Sequence, residues 1–585
     1  MAAHWQRVFN APSSPLLRDT DMPETVLQVL RRTFRLRSLR PGQQEVIGRV
    51  LAGKPTLAVM PTGAGKSLCY QLPALMRPGV TVVVSPLIAL TQDQCDGLRA
   101  LGVAAVQVNS ALPSDELHAA GEAIRTGRAR IVLTTPERLA DDGFQALLMA
   151  GPPVSLLVVD EAHCISQWGH DFRPAYLEIA PARQKLGKPP VLALTATAAG
   201  AVADDIRAQL GIPAGGLVDT GSYRPNLDYA VESFATEAEK MARTVALVRE
   251  SGGAGLVYTA TVKAAEAVRD ALLAADMADV GLYHGRLPAD ERHTVQQRFM
   301  DGVSRVVVAT NAFGLGIDKQ DIRFVVHHQM PGALDAYYQE SGRAGRDGEN
   351  AVCTLLFLRK DRAVQQFFLA GRYPEMEDLR ALVGGLSQPA PEGGWTLEAL
   401  AGHCHLPLSK CRVAASLLRR HRQVVRGASG ALRLRRADID DATLERLVQS
   451  YRDKRVLDRA SLERLVFYAQ TGRCRWQVLL EAVGHGGAAA TPAACSHCDN
   501  CRRIASVQAA SAVTAPAAET HRPVLALFTA GQAVEVRRYG GGVVEAADAA
   551  SVTVGFADGS RRVFQPDFVR PAGARKARPG PRMAA

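Results

Sequence analysis

Met60-Pro-Thr-Gly-Ala-Gly-Lys-Ser67 is the feature that most narrows what this chain can become. An apolar stretch from Thr56 to Val59 leads into it and a helical pattern follows, so the segment reads as strand, loop and helix. Gly63 and Gly65, in one loop with Thr62 and Ala64, let backbone N–H groups approach phosphate oxygens closely. Lys66 supplies positive charge to the β- and γ-phosphates, and the Ser67 hydroxyl can ligate Mg²⁺. The general pattern wants Gly where Met60 stands, so a chance Gly-Lys-Ser turn is the rival reading.

Two further segments bear on that rivalry. Leu156-Leu-Val-Val-Asp-Glu-Ala-His163, about 90 residues downstream, is a hydrophobic strand ending in adjacent carboxylates. Asp160 can hold the water shell of Mg²⁺, and Glu161 can orient and deprotonate an attacking water. The alternative, a solvated acidic pair at a loop start, does not account for the phosphate loop upstream. Gln339-Glu-Ser-Gly-Arg-Ala-Gly-Arg-Asp-Gly348 places Arg343 and Arg346 three apart, where they can reach a γ-phosphate across a cleft. Standing alone, that segment reads better as a basic surface turn.

The fold follows from the same periodicity. From about residue 26 to 360, β-branched runs such as Val82–Val84, Leu156–Val159 and Val306–Val308 alternate with amphipathic helical stretches. A Pro/Gly-containing stretch, Gly211 to Pro225, divides them, and 585 residues exceed a single core. The expectation is an α/β class chain with two lobes joined by a linker, at 26–218 and 219–370, after an N-terminal extension at 1–25. A winged-helix-like region is expected at 371–440. Within it Thr396–Cys404, Pro407–Lys410 and Cys411–Arg420 read as short helices before a Val424–Leu434 hairpin. Arg412, Arg419, Arg420 and Arg422 would be available there for phosphates, and a plain helical spacer is the alternative.

Ten cysteines are too few and too scattered for a disulfide scaffold, and six of them are isolated. The other four, Cys474 and Cys495-Ser-His-Cys498-Asp-Asn-Cys501, have the spacing of one tetrahedral ion, with Cys474 arriving from the preceding helix. Zinc is the reading for this 441–506 region, with redox or iron–sulfur chemistry as the alternative; His485 and His497 are nearby but unnecessary. An Ala-rich linker is expected at 507–522, then a small all-β module at 523–571 and a basic tail at 572–585. Val534, Val536, Val552, Val554 and Phe556 would fill the module's interior, leaving Arg537, Arg538, Tyr539, Arg561 and Arg562 for an acidic protein or a DNA backbone. A net charge of +11 is compatible with a polyanionic partner. No apolar run reaches the roughly 20 residues that span a bilayer, and Met1–Asn10 lacks an export signal, so the expected place is the cytoplasm.

Taken in order, Met60–Leu72, Ser85-Pro-Leu-Ile-Ala-Leu90, Asp160–His163, Ala193-Leu-Thr-Ala-Thr197, Ala312–Lys319 and Gln339–Gly348 resemble a superfamily 2 helicase. Arg40-Pro-Gly-Gln43, Cys164–Pro174 and Tyr468–Arg475 narrow the resemblance to the RecQ family of ATP-dependent DNA helicases. That resemblance implies a RecA-like fold for each lobe, ATP, Mg²⁺ and Zn²⁺ as cofactors, single-stranded and tailed or branched DNA as partners, and 3′-to-5′ unwinding of duplex DNA in recombination and repair at the nucleoid. It also implies roles: Arg40 and Gln43 at the adenine, Asp318 at the ribose, Arg346 as the finger assisted by Arg343. His163, Thr195, Thr197 and Gln339 would couple the lobes. Trp168, Phe172 and Arg173 would sense single-stranded DNA, by stacking and by charge.

The sequence departs from the family at Leu36, where an adenine-stacking aromatic is usual, and at Arg35, which follows Phe34 in place of Gly. The winged-helix-like region precedes the zinc cysteines rather than following them. The terminal module resembles the SH3/Tudor-like barrel that ends some superfamily 1 repair helicases, which implies a protein partner such as RNA polymerase or a repair factor. Two rival functions are an RNA helicase or duplex translocase, and a non-catalytic nucleic-acid-binding scaffold. The loop around Trp168 and the zinc cysteines weigh against the first, and intact Lys66, Asp160, Glu161 and Arg346 against the second.

Overall fold

The computed structural model describes residues 24–166, 172–198, 200–314, 317, 319–370, 374–421, 423–427, 431–435, 439–483, 494–513, 528–548 and 550–572. Seven short strands build the first lobe: β1 (Thr56–Val59), β2 (Val80–Val84), β3 (Ala105–Val108), β4 (Ile131–Thr134), β5 (Val154–Val159), β6 (Val191–Thr195) and β7 (Leu217–Asp219). They lie in the order β3-β4-β2-β5-β6-β1-β7, with every pairing parallel. Both faces are covered by helices, which is why β1, β2 and β4 are buried along their whole length and mostly apolar, with one threonine each, rather than alternating. The stretch expected as an interlobe linker contributes β7, so the first lobe runs further along the chain than its Pro/Gly content implies.

The second lobe holds β8 (Leu227–Phe234), β9 (Ala254–Tyr258), β10 (Val280–Tyr283), β11 (Val306–Ala309), β12 (Ile322–His327) and β13 (Ala351–Leu358). Their order is β10-β11-β9-β12-β13-β8, again parallel throughout. Strand β8 is an edge, and the zinc-binding region covers it. Asp499 accepts from the Val231 N–H at 3.0 Å, and Trp476 Nε1 donates to the Leu227 carbonyl at 3.1 Å. An edge that would expose ladder groups is closed this way. Tyr229, Tyr337, Tyr468 and Trp476 share one buried cluster, so lobe and zinc region have a common core.

The winged-helix-like region differs from expectation in its helices. Leu408–Arg420 is one helix instead of two, because Pro407 caps it and nothing interrupts it. The third helix is Met376–Ser387, which precedes the Pro- and Gly-rich stretch from Gln388 to Gly394. With Leu397–His403 and the β14 (Val424–Arg426) and β15 (Leu432–Leu434) hairpin it encloses a core including Leu379, Leu400, Leu418 and Leu447. Arg422 lies outside the described residues. A 30-residue helix, Asp441–Gln470, runs from this core into that of the second lobe.

The C-terminal strands β16 (Ala533–Val536), β17 (Gly540–Ala547), β18 (Val552–Phe556), β19 (Arg561–Phe564) and β20 (Arg570–Pro571) form an antiparallel sheet ordered β19-β18-β17-β16-β20. Its described pairings leave β19 and β20 at opposite edges, so an open sheet stands where a closed barrel was expected. Three other expectations need correction. The first part of the expected linker is helical, since the Asp499–Val513 helix runs through it. The sheet does not hang on a tether but docks on the zinc region: Gly472 N–H donates to Val563 O, Gln565 N–H to Gln470 O, and Phe467 packs edge-on to Phe564. The expected basic cluster is also largely engaged: Arg538 pairs with Glu463, Arg561 with Glu545, and Arg562 lies 4.4 Å over the Tyr539 ring.

Candidate active site

The phosphate loop joins β1 to the Leu68–Met76 helix. Gly63 and Gly65 have φ of 83° and 76°, a region that favours glycine. Space makes the same demand: a Cβ on Gly65 would stand 2.6 Å from Gln43 Nε2, and one on Gly63 3.0 Å from Arg346 Cγ. Gln43 is buried and donates to the Ala64 and Gly65 carbonyls, both at 3.0 Å, while Arg40 donates to the Gly63 carbonyl. Thr62 lies against Gly342 of the second lobe. The loop is therefore gripped from both sides.

Lys66 Nζ lies 3.3 Å from the Met60 carbonyl and 3.4 Å from that of Pro61. Removal from water lowers its proton affinity, against the pull of Glu161 and Asp160. Asp160, at the end of β5, is pushed up to about 7 by burial and by the neighbouring Glu161 carboxylate, with Lys66 opposing. Glu161 holds a left-handed backbone, φ 46° and ψ 48°, which costs of order 1–3 kcal/mol in a non-glycine residue. Ser67 Oγ accepts from Gln94 at 3.4 Å, and Tyr70 in turn donates to Gln94 at 2.9 Å. Tyr176 donates to the Asp160 carbonyl at 2.9 Å. Gln94, Tyr70 and Tyr176 were not singled out from the sequence, where each reads as ordinary helix or loop.

A polar series crosses between the lobes. His163 Nδ1 lies 3.3 Å from Glu161 Oε2 and 3.1 Å from Thr195 Oγ1. Thr195 Oγ1 donates to the Thr197 carbonyl at 2.9 Å, and Gln339 Nε2 reaches Thr197 Oγ1 at 3.5 Å. Glu161, His163, Thr195, Thr197 and Gln339, distant in sequence, are thus brought into one file. Arg346 lies against the phosphate loop and its charge bears on Lys66. Arg343 is buried inside the second lobe beside Tyr258 and Gly314. Phe172 is half-buried, and Arg173 donates to the Pro86 carbonyl at 3.0 Å. Trp168 and Asp318 lie outside the described residues.

The least expected part of the site is Ser222-Tyr-Arg-Pro-Asn226. Arg224 is 9% exposed and donates to the carbonyls of Gly342, Ala344 and Gly345 at 2.7, 2.7 and 2.5 Å. Asn226 adds bonds to Gly345 O and Glu349 O, and Tyr338 donates to Ser222 O. This segment clamps the loop that carries both arginines. With the phosphate loop and Arg346 it lines a cavity of about 280 Å³. An Arg-Pro dipeptide in a Pro/Gly stretch gives no sequence signal for such a role.

The four cysteine sulfurs lie within 4.8 Å of one another. Cys474 sits just before the Arg475–Val483 helix rather than arriving from the helix before it. Backbone N–H groups point at the sulfurs: Cys495 N to Cys474 Sγ at 3.4 Å, Cys498 N to Cys495 Sγ at 3.3 Å, and Arg475 N and Cys501 N to Cys498 Sγ at 3.4 Å. Such donors stabilise thiolates, so the residues fit a tetrahedral zinc ion. His497 faces Tyr223 and Asp228 instead, and His485 lies outside the described residues.

Comparison with known proteins gives three family matches in chain order. DEAD/DEAH box helicase covers residues 40–206, helicase conserved C-terminal domain 239–348, and RecQ zinc-binding 438–502. The ATP-dependent DNA helicase RecQ of Bacillus subtilis (strain 168) is 44% identical over 58% of this chain and 57% of its own length. The probable ATP-dependent DNA helicase RecS of the same organism is 41% identical over 60% of this chain and 70% of its length. The chain thus spans little more than half of the first of these relatives. The crystal structure of the DUF1998 helicase MrfA bound to DNA aligns with a TM-score of 0.50 at 17% identity, over 72% of this chain and 60% of that one. That likeness is one of fold alone.

Proposed function

The chain belongs to the RecQ family of superfamily 2 helicases, and from that premise we propose that it is an ATP-hydrolysing motor that unwinds DNA. The observation that carries the proposal is the file from Glu161 through His163, Thr195 and Thr197 to Gln339, which joins a hydrolytic carboxylate in one lobe to the other lobe. A scaffold that only bound nucleic acid would have no use for it.

In this reading Arg40 and Gln43 face the base, with Asp318 at the ribose. Backbone N–H groups of Thr62 to Gly65 and the Lys66 ammonium hold the phosphates. Ser67 and Asp160 would hold magnesium, which when bound neutralises charge on the β- and γ-phosphates. Glu161 takes the proton of the attacking water, held in place by His163. Arg346 meets charge developing on the transferred phosphoryl group, and Arg343 braces the same loop from inside the second lobe.

Phe172 and Arg173, with Trp168, are assigned to sensing single-stranded DNA, and 3′-to-5′ movement in recombination and repair at the nucleoid follows from the family. Domain limits of 26–218, 219–370, 371–440, 441–506 and 523–571 belong to the same reading. The five short antiparallel strands of the C-terminal sheet, around a small apolar interior, support an SH3/Tudor-like module and a protein partner such as RNA polymerase or a repair factor. Pull-downs with and without residues 523–585 test that partner. The motor is tested by ATP hydrolysis and strand displacement on tailed DNA and RNA duplexes. DNA-stimulated hydrolysis with displacement of a DNA strand is expected. Preference for RNA, stimulation without displacement, or no hydrolysis would each replace the reading with one of its rivals.

A further inference from the structure

The C-terminal sheet meets the second lobe across the Asp441–Gln470 helix, and one carboxylate ties the two together. Glu463 pairs with Arg362, in the Asp361–Ala370 helix, at 2.6 Å and with Arg538 in the turn after β16. Their neighbours Arg359 and Lys360, which follow β13, and Arg537 are thereby carried onto a common surface. Arg570 joins them from β20, where it stands opposite Glu535, two residues before Arg537. All four are exposed, and among the described residues none has a side-chain hydrogen bond or ion pair. Partial burial and the guanidiniums of Arg537, Arg362 and Arg570 lower the proton affinity of Arg359. Nearby carboxylates do little to offset this: Glu463 is shared by two arginines, and Asp361 is buried against Lys240. Glu535 alone faces the patch from β16 in the ladder with Arg570.

The surface also has an apolar end. Lys360, Ala363 and Phe367 are exposed and spaced three and four residues apart, so they share one side of the helical turn sequence that follows β13. Phe367 is 75% exposed and its neighbour Phe368 45%, with ring centroids 6.2 Å apart. Cationic side chains take phosphates whatever the sequence, while an exposed ring stacks on an unpaired base. A duplex would satisfy the cations and leave the rings idle. A purely acidic chain would do the same. A single strand uses both.

We propose that Arg359, Lys360, Arg537 and Arg570 form, with Phe367, a second binding surface for single-stranded DNA, built jointly by the second lobe and the C-terminal sheet. It rests on the motor reading only in taking DNA as the strand, and it gives the docked sheet a task within the motor.

The test is binding of a labelled oligo-dT to the full-length, zinc-loaded protein without nucleotide, by fluorescence anisotropy across a range of KCl. Each phosphate contact to a single strand adds about 0.7 to the slope of log K against log salt. Arg537→Glu with Arg570→Glu should therefore flatten the slope by about 1.4 and weaken binding at low salt at least about tenfold. Phe367→Ala should weaken binding about tenfold and leave the slope unchanged, because a stacked base is not a counterion site. Arg128→Glu, an exposed control in the first lobe, should change neither. The proposal is overturned if the double variant keeps the parental slope, if Phe367→Ala binds as the parent does, or if the control loses as much. Polyglutamate displacing the oligonucleotide from the parent but not from the double variant, with DNA binding equal in both, would assign the surface to an acidic protein and overturn it too. ATP hydrolysis without DNA should be the same in all variants. A parent lacking that activity would defeat the motor reading while leaving the slope measurable.

Discussion

Arg224→Lys tests whether the Ser222–Asn226 segment sets the position of the loop that carries Arg343 and Arg346. The guanidinium serves three carbonyls, on Gly342, Ala344 and Gly345, from a nearly enclosed position. A lysine keeps the charge but presents one point of contact where the planar fork presents several. If two of the three bonds are lost, at about 1.5–3 kcal/mol for each bond to a charged group, the gross penalty is roughly 3–6 kcal/mol. The loop can recover part of that by shifting toward water. Gly345 limits how it shifts, because its φ of 55° and the 2.5 Å approach of Asn226 to its Cβ position leave little room. A displacement of about 1 Å at Arg346 is enough to cost about a hundredfold in turnover. Phosphate release at saturating single-stranded DNA should therefore show kcat down about 10- to 100-fold, with KM for ATP within a few-fold. Asn226→Ala, which loses two neutral bonds, should move kcat the same way by less. Circular dichroism and thermal melts establish that the variants are folded at the assay temperature. A folded Arg224→Lys protein with lowered Tm and parental kcat would refute the reasoning, because the clamp would then be structural only.

Glu161→Gln should bind ATP with near-parental affinity and lose hydrolysis by several orders of magnitude, and near-normal turnover would unseat the general base. His328, bonded to Thr244 and facing Glu237, is held down to about 4 by burial and by Lys240. Its neutral form thus adds stability that is complete above pH 6.5 and lost as pH falls through about 4, at roughly 1.4 kcal/mol per unit. The stability difference between the parent and His328→Gln should shrink over that window in urea melts, whereas a constant difference would show that the imidazole does not titrate there. Cys498→Ser, or prolonged chelation, should release one zinc per chain by elemental analysis and lower Tm; unchanged metal content would remove the zinc assignment. Deleting residues 528–585 should lower Tm of the remaining protein by uncovering Phe467 and the Gly472 N–H, and an unchanged melt would mean that the sheet's docking is weak.

Much of this protein could be read along the chain because its chemistry is local. The phosphate loop needs glycines at two left-handed positions and a lysine after them, and Gly63, Gly65 and Lys66 lie within four residues. Parallel strands buried on both faces are mostly apolar, so Val82–Val84 in β2, Leu156–Val159 in β5 and Val306–Ala309 in β11 stand out as continuous runs. Cys495, Cys498 and Cys501 converge because two residues separate each from the next, and Cys474 completes the set across an interval of twenty residues. The rest depended on distance in sequence. Glu161 and Gln339 meet through Thr195 and Thr197 only because two separate sheets face each other, and no spacing encodes that approach. Arg224 looked like linker because its partners are backbone carbonyls, which every residue carries and no motif can specify. The C-terminal sheet looked tethered because its alanine-rich approach has little pattern. Its attachment is made by main-chain bonds at Thr471, Gly472 and Gln565 and by Glu463 between two arginines, contacts that exist only once both partners are folded.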